Sequence, residues 1–571
     1  MRGTVPVPGT VPGPAFARTP RRGLSLKNVT RSATGLRDSP RPGDSPWAAA
    51  ILRPVAVPTL ETEVLVVGGG STGAGVVRDA AMRGFSTALV ERGDLATGTT
   101  GRFHGLLHSG GRYVVKDPVA ARECVVENPI VRRIAADCVE DTGGLFVSTP
   151  WDDPAYGDDF LRGCQETGLP VEEIPAAEAL RQEPRLEPGI TRAFAVPDAN
   201  LDPWKLVSAC TRSAKEYGAQ ILPYHRVLSL ELRDGKVIGA RARDELTGDE
   251  LEIRADLVIN ASGAWAGQIA SLAGCMVSVV PGKGIMIAMN HRLVNTCVNR
   301  CKPPSDGDII VPIRTVSVIG TTDVRVADPD ELEVTPGEID EMLDEGEKLV
   351  PGFREARALR VWAGARPLYT PDEVADTRDV SRTHTVLDHA KRDGVEGFIT
   401  ITGGKTTTFR LMAEHAVDAA CAQLGVNRPC RTAEEPLPGS EEERFYWLGA
   451  RVRAQEPVPN SEEIICECEL ITRSHLIEAI ARGRPSSLDD VRRRVRLAMG
   501  PCQGGFCIYR ATGILHEFEH LDHEAANSAL LDFLQERWKG VQPILHGDQL
   551  RQARLDDWIF QGLLAVEHLP E

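Results

Sequence analysis

The sequence predicts an α/β protein: a Rossmann-type domain of parallel strands, an inserted α+β lobe, and a small helical cysteine module behind them. Three observations carry this reading. A glycine-rich turn joins an apolar strand to a helix from Gly68 onward, strand-like and helical runs alternate through most of the chain, and four cysteines form two close pairs near the C-terminus.

The chain has 571 residues, 42% hydrophobic and 26% charged, which gives room for several domains and a large buried core. No apolar run reaches the roughly 18 residues that a membrane-spanning helix needs, so work at a membrane would require a partner. The net charge of −16 excludes a general nucleic-acid binder, which needs clustered basic charge. An anionic substrate would therefore need a local nest of Arg and Lys.

Residues 1–60 stand apart, with ten prolines, eight arginines, one lysine and two acidic residues. Such a segment buries too little apolar surface to offset its chain entropy and reads as disordered. Its Arg-rich make-up also resembles a transit peptide. A third reading is an extension upstream of a true start near Val55 or Val57.

Ordered structure is expected from Thr62, in an α/β domain over residues 61–427. Its β runs include Glu63–Val67, Ser86–Glu91 and Leu257–Ala261. Two interruptions, about 115–200 and 275–355, read as insertions forming a second lobe. Residues 428–460, rich in Pro, Glu and Ser, read as a linker. A cysteine module over 461–515 follows, and then a helical tail over 516–571 with its apolar spacing in Leu530–Leu564.

The first strand ends in Gly68-Gly-Gly70-Ser-Thr-Gly73 and a helix-like Ala74–Arg83, which is G-x-G-x-x-G in its proper context. Gly68 permits the tight turn, Gly70 lets the backbone approach a pyrophosphate, and Gly73 lets helix and strand pack closely. The helix N-terminus offers free N–H groups to phosphates. Glu91, at the end of the second strand, suits hydrogen bonds to ribose hydroxyls. There is no second such turn for a separate nicotinamide domain. Farther on, Gly403-Gly404-Lys405-Thr406 opens another helix, whose N-terminus would stabilise an anionic reduced flavin. Asn260-Ala-Ser-Gly263-Ala-Trp265 is a further small-residue turn after a strand. Distant segments converging on one cofactor fit FAD.

Cys466-x-Cys468 and Cys502-x4-Cys507 have 33 residues between them, including an amphipathic stretch, Ser474–Met499. Four thiolates so gathered could hold [2Fe–2S] or structural zinc, or could pair as disulfides. The other nine cysteines read as reduced, mostly buried thiols. The run Arg492–Arg496 reads equally as compensation for cluster charge, a partner face, or a solvated helix face.

Taken in order, Gly68–Gly73, Thr97-Gly-Thr-Thr-Gly-Arg102, Leu107-His108-Ser-Gly-Gly-Arg112-Tyr113, Gly320-Thr-Thr-Asp323, Gly364-Ala-Arg366-Pro367 and Gly403-Gly-Lys405 resemble the FAD-dependent glycerol-3-phosphate dehydrogenases. The four cysteines and Phe533–Gln542 narrow the likeness to the A subunits of the anaerobic, quinone-linked enzymes, over residues 61–571. The resemblance implies oxidation of sn-glycerol 3-phosphate to dihydroxyacetone phosphate, with a BFD-like [2Fe–2S] domain passing electrons towards a quinone. It also implies membrane-anchoring and electron-transfer partner subunits, hence a cytoplasmic chain held at the inner face of the cell membrane. Against the cofactor it sets Thr100, Gly263, Gly403, Gly404 and Thr406. As phosphate binders it gives Arg366 and Arg382, with Arg112 and Lys405 nearer the flavin. His108 is the candidate base, because an imidazole takes up protons near neutrality, or else a histidine packed against the flavin. One departure stands out: relatives without the cysteine module often carry Lys-Gly-Ser-His where this chain has Lys283-Gly-Ile-Met286. Two other classes remain open, an amine or hydroxy-acid oxidase that would not need the cysteines, and a non-catalytic flavin and iron–sulfur electron-transfer subunit.

Overall fold

The computed structural model describes residues 57–371, 376–456, 463–481, 487–519 and 521–566. The readings of residues 1–56 lie outside them.

The first strand, Thr59–Val67, begins before its apolar run because backbone pairing sets Thr59 opposite Glu252. Ordered structure thus starts ahead of Thr62. Parallel strands run in the order Gln220–Leu222, Thr87–Val90, Thr59–Val67, Glu250–Asn260 and Phe398–Gly403. Strand Glu250–Asn260 forks: its first half pairs antiparallel with Lys236–Asp244 and its second half parallel with Phe398–Gly403. Helix Ser71–Met82 is small and apolar, so Val76, Val77, Ala80 and Ala81 sink into one core with Val64, Val66 and Ile259 of the sheet. Helices Pro203–Glu216 and Phe409–Leu424 flank it. The nucleotide turn is thereby fixed at the C-terminal end of a parallel sheet, where open α/β sheets bind ligands.

A second, nine-stranded sheet forms the inserted lobe. Strand Val279–Met289 pairs along its length with Ala358–Tyr369, Val279 opposite Tyr369. The lobe therefore extends past residue 355; its last strand carries Arg366 back towards the nucleotide domain. Helix Pro336–Leu349 opens on a capping box between Thr335 and Glu338 and buries Ile339, Met342 and Leu343 against this sheet.

Residues 428–456 are not a solvated linker. The buried Arg78 guanidinium donates to the carbonyls of Thr432 (3.4 Å) and Glu435 (2.7 Å), and Leu437 is fully buried. A buried arginine needs acceptors, and this Pro-rich strap supplies them.

The cysteine module is a short hairpin, Ile464–Cys466 with Ile471–Thr472, then helices Arg473–Ala481, Leu488–Val495 and Ile508–Glu519 around a core of Ile465, Leu476, Leu497 and Ile514. The arginine run is part-buried against the nucleotide domain and is no plain solvated helix face. Arg493 pairs with Asp94 (3.1 Å), while Arg496 pairs with Asp202 (3.5 Å) and Glu469 (3.3 Å), docking the module on the nucleotide domain. Burial works against ionisation of Asp202, but Arg496 and Arg314 outweigh it and hold its pKa below the usual carboxylate value. The tail's first helix, His523–Val541, starts before Leu530, capped by Asp522, which accepts from the Ala525 N–H (2.8 Å). Farther along, the buried Gln549 accepts from the N–H of Ala358 (2.8 Å) and donates to the carbonyl of Ala356 (3.0 Å), tying the tail to the second lobe.

Candidate active site and cysteine cluster

One cavity of about 690 Å³ opens between the nucleotide turn and the second lobe, lined by Gly68, Gly70, Glu91, Gly263, Gly403 and Gly404 on one side and by Arg366 and Arg382 on the other. It lies within the usual size of a cofactor site.

Glycine is required at the turn. Gly68 has φ of +113°, and a Cβ at Gly73 would lie 1.8 Å from the Gly68 carbonyl oxygen. Gly70 caps the helix without a side-chain bond, so its first turn faces the cavity. The Glu91 carboxylate accepts from Gly69 N–H (2.7 Å) and Gly93 N–H (3.1 Å), one bond on each oxygen. Each oxygen keeps a lone pair for a ribose hydroxyl. Burial pushes its pKa up, partly offset by those N–H groups. Thr100 lines the cavity, but its hydroxyl is engaged: it accepts from Ser71 N–H (3.0 Å). Gly403 and Gly404 both have positive φ, and Thr406 lines the same wall. These residues fit FAD. Gly73→Ala is expected to part helix from strand and to yield protein with little flavin, read as the flavin-to-protein absorbance ratio.

Across the cavity, Arg366 and Arg382 converge on one carboxylate: each lies 3.2 Å from a different oxygen of Asp323. Arg366 also donates to the Thr321 hydroxyl (2.9 Å) and the Thr322 carbonyl (2.8 Å). Burial brings its pKa down to about 10, with Arg382 and Arg112 adding repulsion and Asp323 opposing. Two guanidiniums sharing one carboxylate leave a surplus positive charge, the arrangement that receives an oxyanion. Arg112 reaches the cavity too, but it is not a free cation, because Asp308 holds it through two bonds (2.7 and 3.3 Å). Lys405 Nζ donates to Glu123 (3.0 Å) and to the Arg382 carbonyl (2.8 Å).

His108 lines the cavity, its ring 6.0 Å from that of His104 and 5.4 Å from that of Tyr113. Its backbone N–H donates to Thr407 Oγ1 (3.0 Å). Burial, then His104, Arg112 and Lys405, hold its pKa well below the ordinary value. It is therefore neutral, and these surroundings make it a weak base. His104 is held low as well, at about 3, again by burial and then by Arg112 and Arg366. Met286 is buried beside Ala288 and Val318, and Lys283 pairs with Glu338 (2.9 Å), so that strand supplies no base. Sequence reasoning passed over Asp323, Glu123 and His104. Asp323 stood in a motif already singled out, but its role depends on partners that only the fold brings near.

The four cysteines of the module come together. Cys468 and Cys502 lie 3.6 Å apart, and Cys466 and Cys507 are in hydrogen-bonding contact. All thirteen cysteines are free thiols, which removes the disulfide reading. Cys502 is brought down to about 6 by its contact with Cys468, against burial, with the N–H groups of Gly504, Phe506 and Gly505 assisting. Thiolates held by backbone N–H donors suit an iron–sulfur cluster, whose sulfurs are tuned in this way.

A nucleotide turn, a basic cavity facing it and four gathered thiols define a flavin-dependent oxidoreductase with an iron–sulfur module. The comparisons agree: residues 63–415 match the family model for FAD dependent oxidoreductases, and residues 464–517 the BFD-like [2Fe-2S] binding domain. The chain belongs to the family of the anaerobic glycerol-3-phosphate dehydrogenase A subunits. It is 44% identical over 527 residues to the protein of that name from Escherichia coli (strain K12), covering 89% of this chain and 97% of the relative. It is also 44% identical over 523 residues to subunit A1 from Haloferax volcanii, covering 86% of this chain and 89% of the relative. A solved glycerol-3-phosphate dehydrogenase from Bacillus halodurans, complexed with FAD, shares the fold with a TM-score of 0.58 at 22% identity, covering 85% of this chain and 96% of that one.

Proposed function

We propose that this chain oxidises sn-glycerol 3-phosphate to dihydroxyacetone phosphate and passes the electrons through a [2Fe–2S] cluster to partner subunits and a quinone. The observation that carries the substrate is the convergence of Arg366 and Arg382 on Asp323 in the cavity that also holds the nucleotide turn. The relatives' names supply the substrate's identity and, through "subunit", the existence of partners.

FAD, when bound, supplies a two-electron hydride acceptor. The residues of the chain do the rest. Arg366 and Arg382 seize the phosphate and so fix the alcohol carbon's position, an advantage of orientation more than of chemistry. Neutral His108 stands as the acceptor of the hydroxyl proton. Lys405 has three N–H donors, of which Glu123 and the Arg382 carbonyl take two, leaving one for a cavity ligand. Cys466, Cys468, Cys502 and Cys507 would hold the cluster.

We read residues 61–427 as the oxidoreductase domain, 461–515 as the cluster domain and 516–571 as a tail. No helix among the described residues is long and apolar enough to cross a membrane, so attachment to one falls to the partner subunits.

Anaerobic stopped-flow mixing with glycerol 3-phosphate tests the reading. The flavin absorption is expected to bleach at millimolar substrate, and glycerol without the phosphate is expected to have little effect. Flavin that stays oxidised ends the dehydrogenase reading.

A further inference from the structure

A row of titratable groups leads from the cavity wall to the surface. Lys405 Nζ, with 5% of its side chain exposed, lies 3.0 Å from Glu123 Oε2. The other oxygen of that carboxylate lies 3.3 Å from Nδ1 of His384, itself 5% exposed, within ion-pair reach but too poorly aligned for a hydrogen bond, and Nδ1 has no hydrogen-bond partner among the described residues. Nε2 of His384 is 2.8 Å from Nδ1 of His415, and His415 is exposed on the outer side of helix Phe409–Leu424. The two rings are 5.0 Å apart.

Three separate elements build this row: helix Pro118–Ile134 gives Glu123, the strand that follows Arg382 begins with His384, and helix Phe409–Leu424 gives His415. A Cβ at Gly404 would meet the His384 Cβ at 3.2 Å, so the glycine turn at the cavity wall and the His384 side chain are packed together. Burial opposes ionisation of Glu123, but His384 and Lys405 outweigh it and hold its pKa below the usual value, so the carboxylate rests empty of a proton.

We propose that Lys405, Glu123, His384 and His415 form a proton exit from the substrate cavity to solvent. The inference rests on the dehydrogenase reading, since oxidising an alcohol yields two electrons and two protons, and an iron–sulfur cluster carries only the electrons onward. The hydroxyl hydrogen departs as H⁺ while the carbon-bound hydrogen leaves with the electron pair, and its proton too must leave once the electrons move on. The cavity is basic and buried, so each stranded proton opposes the next turnover.

The balance closes without any other reactant. An N–H bond of Lys405 breaks as an O–H bond forms on Glu123, and the freed lone pair on Nζ takes the proton arriving from the cavity. Glu123 passes its proton to Nδ1 of His384 while the Nε2–H of His384 moves to Nδ1 of His415. His415 then releases its Nε2 proton to water. One proton enters and one leaves, no electron moves, and a tautomer exchange on each ring resets the row. The two histidines do not line the cavity; they act through Glu123 and Lys405.

The test uses the full chain loaded with its cofactors. In the wild-type protein, release of protons to an indicator dye is expected to keep pace with flavin bleaching by glycerol 3-phosphate. His384→Gln keeps the size and hydrogen bonding of the side chain but cannot shuttle protons. It is expected to leave KM, flavin content and Tm unchanged, to make proton release lag behind bleaching, and to slow turnover by ~100-fold, the low end of what a positioned proton-transfer group contributes. The solvent isotope effect is expected to rise. Added imidazole is expected to restore His384→Ala, and His415→Gln is expected to show a weaker form of the same defect because water reaches that position. The relay is overturned if both glutamine variants match the wild type in turnover, proton release and isotope effect. It is equally overturned if the loss comes with a raised KM or lost flavin and imidazole does not restore it, which is the mark of a structural role. If the wild type does not bleach at all, the dehydrogenase reading falls and takes the relay with it; if it bleaches and the variants are normal, only the relay falls.

Discussion

Arg366→Ala is expected to raise KM for glycerol 3-phosphate by roughly 30-fold to several thousand-fold, the equivalent of ~2–5 kcal/mol for truncating one partner of a buried, hydrogen-bonded charge cluster. The size of the effect follows from what is left behind. Arg366 and Arg382 share Asp323. Removing Arg366 leaves Asp323 and Arg382 as a closed neutral pair, and the surplus charge that receives the phosphate disappears. Steady-state kinetics with glycerol 3-phosphate measures this. An unaltered KM would show that the phosphate is bound elsewhere in the cavity.

Cys502→Ser is expected to remove the cluster almost entirely, read as iron per chain and as loss of the charge-transfer bands in the visible spectrum. This is the thiol at which three N–H groups, those of Gly504, Phe506 and Gly505, stabilise the thiolate. A serine hydroxyl is far harder to ionise and is a poor ligand for iron. Bleaching of the flavin by substrate is expected to survive, while onward transfer to a quinone analogue is expected to fail. That split separates the two halves of the electron path. Unchanged iron content in the variant would return the four cysteines to another purpose.

The parts of this molecule that could be read along the chain are those whose partners are close in sequence. The turn at Gly68–Gly73 and Glu91 lie within one strand–helix–strand unit, and Gly69 N–H donates to Glu91 only 22 residues on. The cysteine pairs are likewise local. What escaped notice depends on distant partners. Arg493 sits 399 positions from Asp94, and without that carboxylate its run of arginines has the composition of a solvated helix face. Lys405 lies 282 positions from Glu123, a pairing that no local spacing announces. The strap at 428–456 was mistaken for a linker for the same reason: proline and glutamate describe its own surface, whereas Arg78, which binds it, is more than 350 residues away. The second lobe's boundary slipped because Ala358–Tyr369 is apolar enough to belong to either sheet, and only its pairing with Val279–Met289 decides between them.

The docking arginines bear on how freely such a molecule can be recombined. In sequence the cluster domain looks like a cassette, bounded and transferable. In space its arginines are matched to Asp94 and Asp202, two carboxylates that belong to the flavin domain. Grafted onto another flavoprotein, the cassette would keep Asp489, Asp490 and Glu469 beside Arg493 and Arg496 but would lose the partners that dock it. Removed from this one, it would strip Asp94 of Arg493 and Arg494 and leave Asp202 with Arg314 alone of its two arginines. The unit of inheritance here is therefore the cassette together with its two aspartates, and an engineer moving one must carry the other.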